Sequence, residues 1–347
     1  MNSQAQHNPL VPWSVSDDLP DEFDRILHTA GDRPNTDTLP ALADPAADHS
    51  SDGLSLRRLD VERKHARIAA LLDAEKLDGV VLGRPDSIAW FTSGGDVGLD
   101  LIGDRAAVSL FVNRNCRCVV TDNVQSPRVF EEEFAGLGFQ LKERPWFDEP
   151  SRVVQELTHN RKVISDLGPK PSPWSGEPDR LQELRLELTT LERQRLRELG
   201  RTLTLAVEAT CRNFVRGETE ADVAGHLAHR LLREGVVPID LKVSSDDRLE
   251  RYRQPSFKAA PIDRRATITA TGKRHGLCAT VSRTVSFGPV DAGFRVRHAL
   301  ATMVDATYIY FSRPGVGVAE VFRRARRIYE KFNHPHEWTL DYQGYLQ

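Results

Sequence analysis

Residues able to do chemistry gather in a few short stretches of the 347-residue chain. The segment His275 to Gly288, HGLCATVSRTVSFG, sets an imidazole at a turn and follows it with Thr280 and Arg283 on a strand-like run. His275 reads either as a ligand contact or as a solvated turn residue. The planar fork of Arg283 suits a carboxylate or phosphate ligand, or an acidic side chain of its own domain. Gln254, in YRQP, can donate a hydrogen bond but cannot act as an acid or base near neutral pH. Tyr345 stands in DYQGYLQ near the last residue. His226 and His229 lie three apart, a spacing that can chelate a metal from one helix face, but the sequence offers them no third ligand. His334 and His336 flank Pro335 in what reads as a loop before a final strand, and Asp246 with Asp247 reads as an acidic pair or as turn and cap residues. GDVGLDLIGD is rich in glycine but matches neither phosphate-loop spacing, so nucleotide binding is unsupported.

The elements that must hold these residues change character along the chain. Residues 1 to about 55 are rich in Asp, Pro and Ser and show no sustained periodicity, which predicts a disordered or loosely attached leader. Order is expected from about Leu56, where Val61, Ala66, Ile68, Ala69, Leu71 and Leu72 form the apolar stripe of an amphipathic helix. Short strands at DGVVLG, AAVSLFVN, RCVVTD and KVISDLG alternate with helical runs, the second and third joined by an Asn-Arg-Asn turn. That alternation predicts an α/β domain over 56–185. From 186 a long helix and a second amphipathic helix, with Thr219 as its N-cap, lead to strands at IDLKVSS, ATITATG and LCATVSRTVSFG. Two more helices, near 291–309 and at GVAEVFRRARRIYEKF, complete an α+β region running to 347.

Bulk properties narrow the function classes. The composition is globular, 39% hydrophobic and 28% charged, and no run approaches the roughly 20 apolar residues of a membrane span. A cytoplasmic protein with no membrane partner is expected. Cys116, Cys118, Cys211 and Cys278 form no CxxC pair, which predicts reduced, structural thiols. The formal charge of −3 points to no polyanionic partner for the whole chain, and a nucleic acid is not expected. Between Lys242 and Lys331, however, 18 Lys and Arg stand against 8 Asp and Glu, either a face for an acidic partner or solvated helix arginines.

The order of elements resembles the creatinase and aminopeptidase P branch of the M24 metallopeptidases. ERKHARIAALLDAEKLDGVVLGRPDSIAWFTSGG is similar to that branch's opening helix, strand and glycine turn. TTLERQRLRELGRTLTLAVEATCRNFVRGETEADVAGHLAHRLLREG is similar to its paired helices, and RRIYEKFNHPHEWTLDYQGYLQ to the approach to its histidine motif. The resemblance covers most of the chain after residue 56. It implies an α/β plus α+β fold, a creatinase-type amino-terminal domain followed by a pitta-bread domain.

Active members of that family bind two divalent ions through two Asp, one His and two Glu. Ions about 3.5–4 Å apart need bridging anionic oxygens to share them, which neutral side chains do not supply. At the two Asp positions the resemblance places Ala270, to within one residue because the turn is shorter, and Thr280. The ligand His falls at Tyr345, the proton-shuttling His falls at Gln254, and the two Glu fall beyond Gln347, implying a pitta-bread domain incomplete at its carboxy end. The implied protein has no catalytic or metal-binding residue and no cofactor. It is a peptide- or protein-binding module with a vestigial cleft of Gln254, His275, Thr280, Arg283 and Tyr345, and a possible homodimer. The alternative is an active Xaa-Pro aminopeptidase or prolidase-like hydrolase using Mn, Co or Zn on unrecognised ligands such as His275, His334 or His336.

Overall fold

The computed structural model describes residues 51–99, 101, 103, 106–168 and 179–341. They fall into two compact units, 51–287 and 288–341. The leader up to residue 50 and Tyr345 lie outside the described residues.

The first unit opens with helix α1 (Ser51–Glu75), which begins five residues ahead of the expected start. Val61, Ile68 and Leu72 of its apolar stripe are completely buried. Strand β1 (Gly79–Leu82) is buried along its whole length, as an unbroken apolar GVVL run should be. Helix α2 (Pro85–Phe91) follows, with Pro at its start where the missing N–H costs nothing. Strands β2 (Ser109–Val112) and β3 (Arg117–Asp122) form the expected hairpin. Asn113 closes its turn by accepting the backbone N–H groups of Asn115 and Cys116.

A helical turn at Ser126–Arg128 continues as the π-helical Val129–Phe134 and leads to strand β4 (Gln140–Arg144). Helix α3 (Arg152–Thr158), strand β5 (Val163–Ser165) and helix α4 (Arg180–Leu186) complete this layer. The five strands stand in the order β4-β3-β2-β1-β5. The sheet is mixed: β1 runs parallel to β5 and antiparallel to β2, and β3 runs parallel to β4.

Helices α5 (Thr190–Asn213) and α6 (Glu220–Arg233) each begin with a capping box, Thr189 with Glu192 and Thr219 with Asp222. They pack on one face of an antiparallel sheet of β6 (Val237–Ser245), β7 (Arg265–Arg274) and β8 (Leu277–Ser286), in that order. A short helix, α7 (Asp246–Arg251), separates β6 from β7.

In the second unit, helices α8 (Ala292–Phe311) and α9 (Val318–Lys331) pack through Leu300, Val304 and Ala325. Several of the arginines counted after Lys242 are engaged within that unit. Arg324 pairs with Glu320 and lies 4.3 Å over Phe311, while Arg326 lies 4.7 Å over Trp338. Glu337–Leu340 is a 3-10 turn, close after His334 and His336 where the sequence reads as a loop before a final strand. Among the described residues no helix is long and apolar enough to cross a membrane.

One polar contact departs from the expected polar outer face of α1. Lys64 is completely buried, and its ammonium lies 2.8 Å from Asp60 on the same helix and 2.8 Å from Glu192 at the start of α5. It also donates to the Trp90 carbonyl (2.7 Å) and to Ser93 Oγ (3.3 Å), and Ser93 Oγ donates to Asp60 (2.7 Å). Three segments therefore share one cation. Burial pushes the Asp60 carboxyl up, but the Lys64 charge and the bonds from Lys64, Thr189 and Ser93 hold it below its ordinary value.

Replacing Lys64 by Met would leave two buried carboxylates with their shared cation removed. We expect Lys64→Met to lower unfolding stability by about 3–5 kcal/mol in urea denaturation, and a loss under about 1 kcal/mol would mean the cation is dispensable. Because the folded-state pKa of Asp60 is depressed, its contribution is complete above the ordinary carboxylate value. That contribution is lost as pH falls through the depressed value, so urea midpoints of the wild type should decline on acidification through that range.

Candidate functional site

The hairpin of β7 and β8 turns through two residues, His275 and Gly276, with φ of 55° and 75°. Positive φ at both central positions is the tight hairpin turn that matches strand twist. A Cβ on Gly276 would stand 2.7 Å from Ala89 Cβ, so the tip of the hairpin rests on α2. Gly94, at φ 101°, is as closely approached: a Cβ there would meet His275 Cβ at 2.9 Å and Arg195 Nη1 at 3.0 Å.

Around this meeting of hairpin tip and glycine turn lies a cavity of about 490 Å³. Its charged lining includes Arg57, Glu133, Arg195, Lys273 and Arg274. On the glycine-turn side the charges are used internally. Arg195 donates to the Ser93 carbonyl (2.6 Å), Glu133 accepts from the Asp96 N–H (3.0 Å), and Arg57 lies 3.7 Å from Glu133. Burial pushes the Glu133 carboxyl up, only partly opposed by the Asp96 N–H and by Arg57.

The sheet face turned away from α5 and α6 is the other polar surface of this unit. The register pairs Thr267 with Thr284, Thr269 with Ser282 and Thr271 with Thr280, each hydroxyl 2.9 Å from its partner. Strand alternation adds Asp240 and Lys242 from β6, ion-paired at 2.7 Å. Lys273 follows on the same face of β7 and reaches the cavity.

Of the residues singled out in the sequence, the structure brings His275 to the cavity and Thr280 to the open sheet face. Arg283 lies on the opposite face of β8, and its guanidinium pairs with Glu208 of α5 at 3.1 Å. The acidic side chain of its own domain is thus its partner, because an odd number of strand positions separates it from Thr280. Gln254 sits exposed in the segment after α7. That segment is anchored by buried Glu220, which accepts from Ser245, Arg248 and the Lys258 N–H. Asp246 takes the turn role, accepting from the backbone of Asp263, Arg264 and Arg265 at 2.8–2.9 Å. His226 lies 3.6 Å from Glu218, and among the described residues no group of three or more His, Cys, Asp or Glu is placed to hold a metal. The four cysteines are free.

No protein-family model matches the chain, and no curated protein matches its sequence. Solved structures do match. The Xaa-Pro dipeptidase of Bacillus anthracis aligns over 80% of this chain and 79% of that chain, with TM-score 0.64 and 15% identity. The dipeptidase PepE of Mycobacterium ulcerans gives TM-score 0.64 and 17% identity over 80% and 78%. The N-terminal domain of the FACT complex subunit SPT16 from Cicer arietinum gives TM-score 0.56 and 10% identity over 80% and 77%. The chain has a mixed α/β fold similar to that of the Xaa-Pro dipeptidases.

The two Asp positions of the resemblance can now be placed. Ala270 is completely buried in the core between β7 and the helices, whereas Thr280 faces outward and meets Thr271. The residue sharing a face with Thr280 is therefore Thr271, one position from the expected Ala270. Sequence reading missed Lys273 and Arg274 of the cavity, although KRHG immediately before a strand carried the signal of a basic hairpin tip.

Gly276→Ala tests how firmly the tip is docked. The added methyl group must adopt positive φ and displace Ala89, so thermal unfolding should report a loss of about 2 kcal/mol. An unchanged melting temperature would mean that hairpin and helix are not in close contact.

Proposed function

We propose that this chain is an M24 peptidase-like protein that works as a peptide- or protein-binding module and not as a metallopeptidase. In this reading 56–185 is a creatinase-type domain and the region from 186 a pitta-bread-type domain, in a cytoplasmic protein able to form a homodimer. The observation that carries it is the Thr271–Thr280 contact, two hydroxyls 2.9 Å apart on the face where the resemblance calls for bridging carboxylates. One hydroxyl donates to the other, and neutral oxygens of this kind are poor ligands for a pair of divalent ions. Asp240 supplies a carboxylate on that face, but Lys242 already neutralises it. The donor set therefore does not fit a two-ion centre.

What this face offers instead is a row of hydroxyl donors and acceptors on a rigid sheet, suited to the backbone and side chains of an extended peptide. The SPT16 likeness supports the reading by analogy, since that neighbour is a subunit of a protein complex. The Xaa-Pro dipeptidase likenesses favour the alternative, a metal-dependent hydrolase acting through ligands not recognised in the sequence.

Metal content and Xaa-Pro dipeptide hydrolysis, measured on the purified chain with Mn, Co and Zn supplied in turn, separate the two readings. We expect neither stoichiometric metal nor turnover, and a proline-containing peptide library should yield ligands whose binding is abolished by Thr280→Arg without a change in the unfolding midpoint. Stoichiometric metal with turnover would establish the hydrolase.

A further inference from the structure

The cavity at the hairpin tip lies beside the open sheet face and is not explained by it. Its two sides differ in how their charges are satisfied. On the glycine-turn side, Arg57, Arg195 and Glu133 are tied to one another or to backbone carbonyls and N–H groups. On the hairpin side the cations are less fully engaged. The Lys273 ammonium has no hydrogen-bond or ion-pair partner among the described residues. Arg274 donates one Nη1 bond to the Glu234 carbonyl (3.2 Å), and its Nε–H is buried with no hydrogen-bond partner among the described residues.

Two adjacent cations with no carboxylate partner among the described residues line a cavity within the size range of small-molecule sites, with Glu133 and Asp96 also in its lining. We propose that this cavity binds a small ligand through a doubly charged oxyanion, a phosphate monoester or a dicarboxylate, held by Lys273 and Arg274. The ammonium serves as a point charge and the guanidinium as an oriented donor, the usual division of labour between the two side chains. Gly94 and Gly276 let the walls approach without side chains intruding, and the turn holds His275 against Gly94 where its ring borders the same space. The cavity opens among elements that Lys64 braces, so the site is preorganised and not assembled by the ligand. This inference does not rest on the peptide-binding reading, and either can fail alone.

The test is calorimetric titration of the full chain with inorganic phosphate and, separately, with succinate, at constant ionic strength. Saturable one-to-one binding of at least one anion is expected, weakened about tenfold or more in Lys273→Met. Arg274→Met should weaken it as well. Lys142→Met, on the exposed edge strand, should leave it unchanged, and the melting curve of Lys273→Met should match that of the wild type. Binding of phosphate alone would identify a phosphorylated ligand, and succinate alone a dicarboxylate. Absence of saturable heat with both anions, or equal affinity in Lys273→Met and wild type, would overturn the proposal.

Discussion

The first unit is organised around the buried ammonium of Lys64. One cation serves Asp60 of α1, Glu192 at the start of α5 and the carbonyl that ends α2. Each of those groups also has a second task. Glu192 closes the capping box of α5 by accepting from Thr189 N–H (2.8 Å), and Asp60 accepts from Ser93, the first residue of the glycine turn. Withdrawing charges from water is expensive, and attraction offsets it only when the remaining lone pairs and protons are also satisfied. Most of them are here, although Asp60 Oδ1 has no close hydrogen-bond partner among the described residues. The arrangement specifies one relative placement of α1, the glycine turn and α5, whatever its net contribution to stability.

That placement sets the geometry of the cavity. Ser93 carries Lys64 and Asp60 contacts through its hydroxyl, and its carbonyl receives Arg195, one turn along α5 from Glu192. Gly94 is thereby pinned between a helix and the hairpin tip, with less room than a Cβ needs on either side. The hairpin has its own rigidity, since three hydroxyl pairs bridge its strands on one face and Ala266, Ile268 and Ala270 are buried on the other. A rigid hairpin resting on a braced turn holds its basic tip in one position. Preorganisation of that kind lets a few charges recognise a small ligand without a large ordering cost.

The elements that were legible in the sequence are those whose pattern is local. GVVL, the Asn-Arg-Asn turn and Thr219 with Asp222 each declare a strand, a hairpin and a helix start through nearby residues. Strand β4 was not legible, because QLKER at a sheet edge has no apolar alternation and is paired only by its neighbour β3. Lys64 was illegible for a related reason. A lysine on an amphipathic helix reads as solvent-facing until its carboxylate partner, far away at Glu192, is brought to it. Among the candidate site residues, the turn at His275 could be read from His-Gly itself, while the partner of Arg283, 75 positions away at Glu208, could not.

The register of the hairpin decides which of its strand residues share a face. The turn has two residues, His275 and Gly276, so Arg274 pairs with Leu277 and the pairing runs from there along both strands. Because side chains alternate with a period of two, removing one residue from a hairpin turn moves one strand's outward set to the inward side relative to the other. Ala270 therefore pairs across to Leu241 in the core, and Thr280 looks outward beside Thr271. Aspartates substituted at 270 and 280 would not restore a shared pair, since one would be buried among apolar residues and the other exposed on the opposite face. On the outward face the positions paired across the hairpin are 267 with 284, 269 with 282 and 271 with 280. The two-residue turn also leaves Lys273 and Arg274 beside the tip, so the basic lining of the cavity and the outward rows of hydroxyls belong to one hairpin.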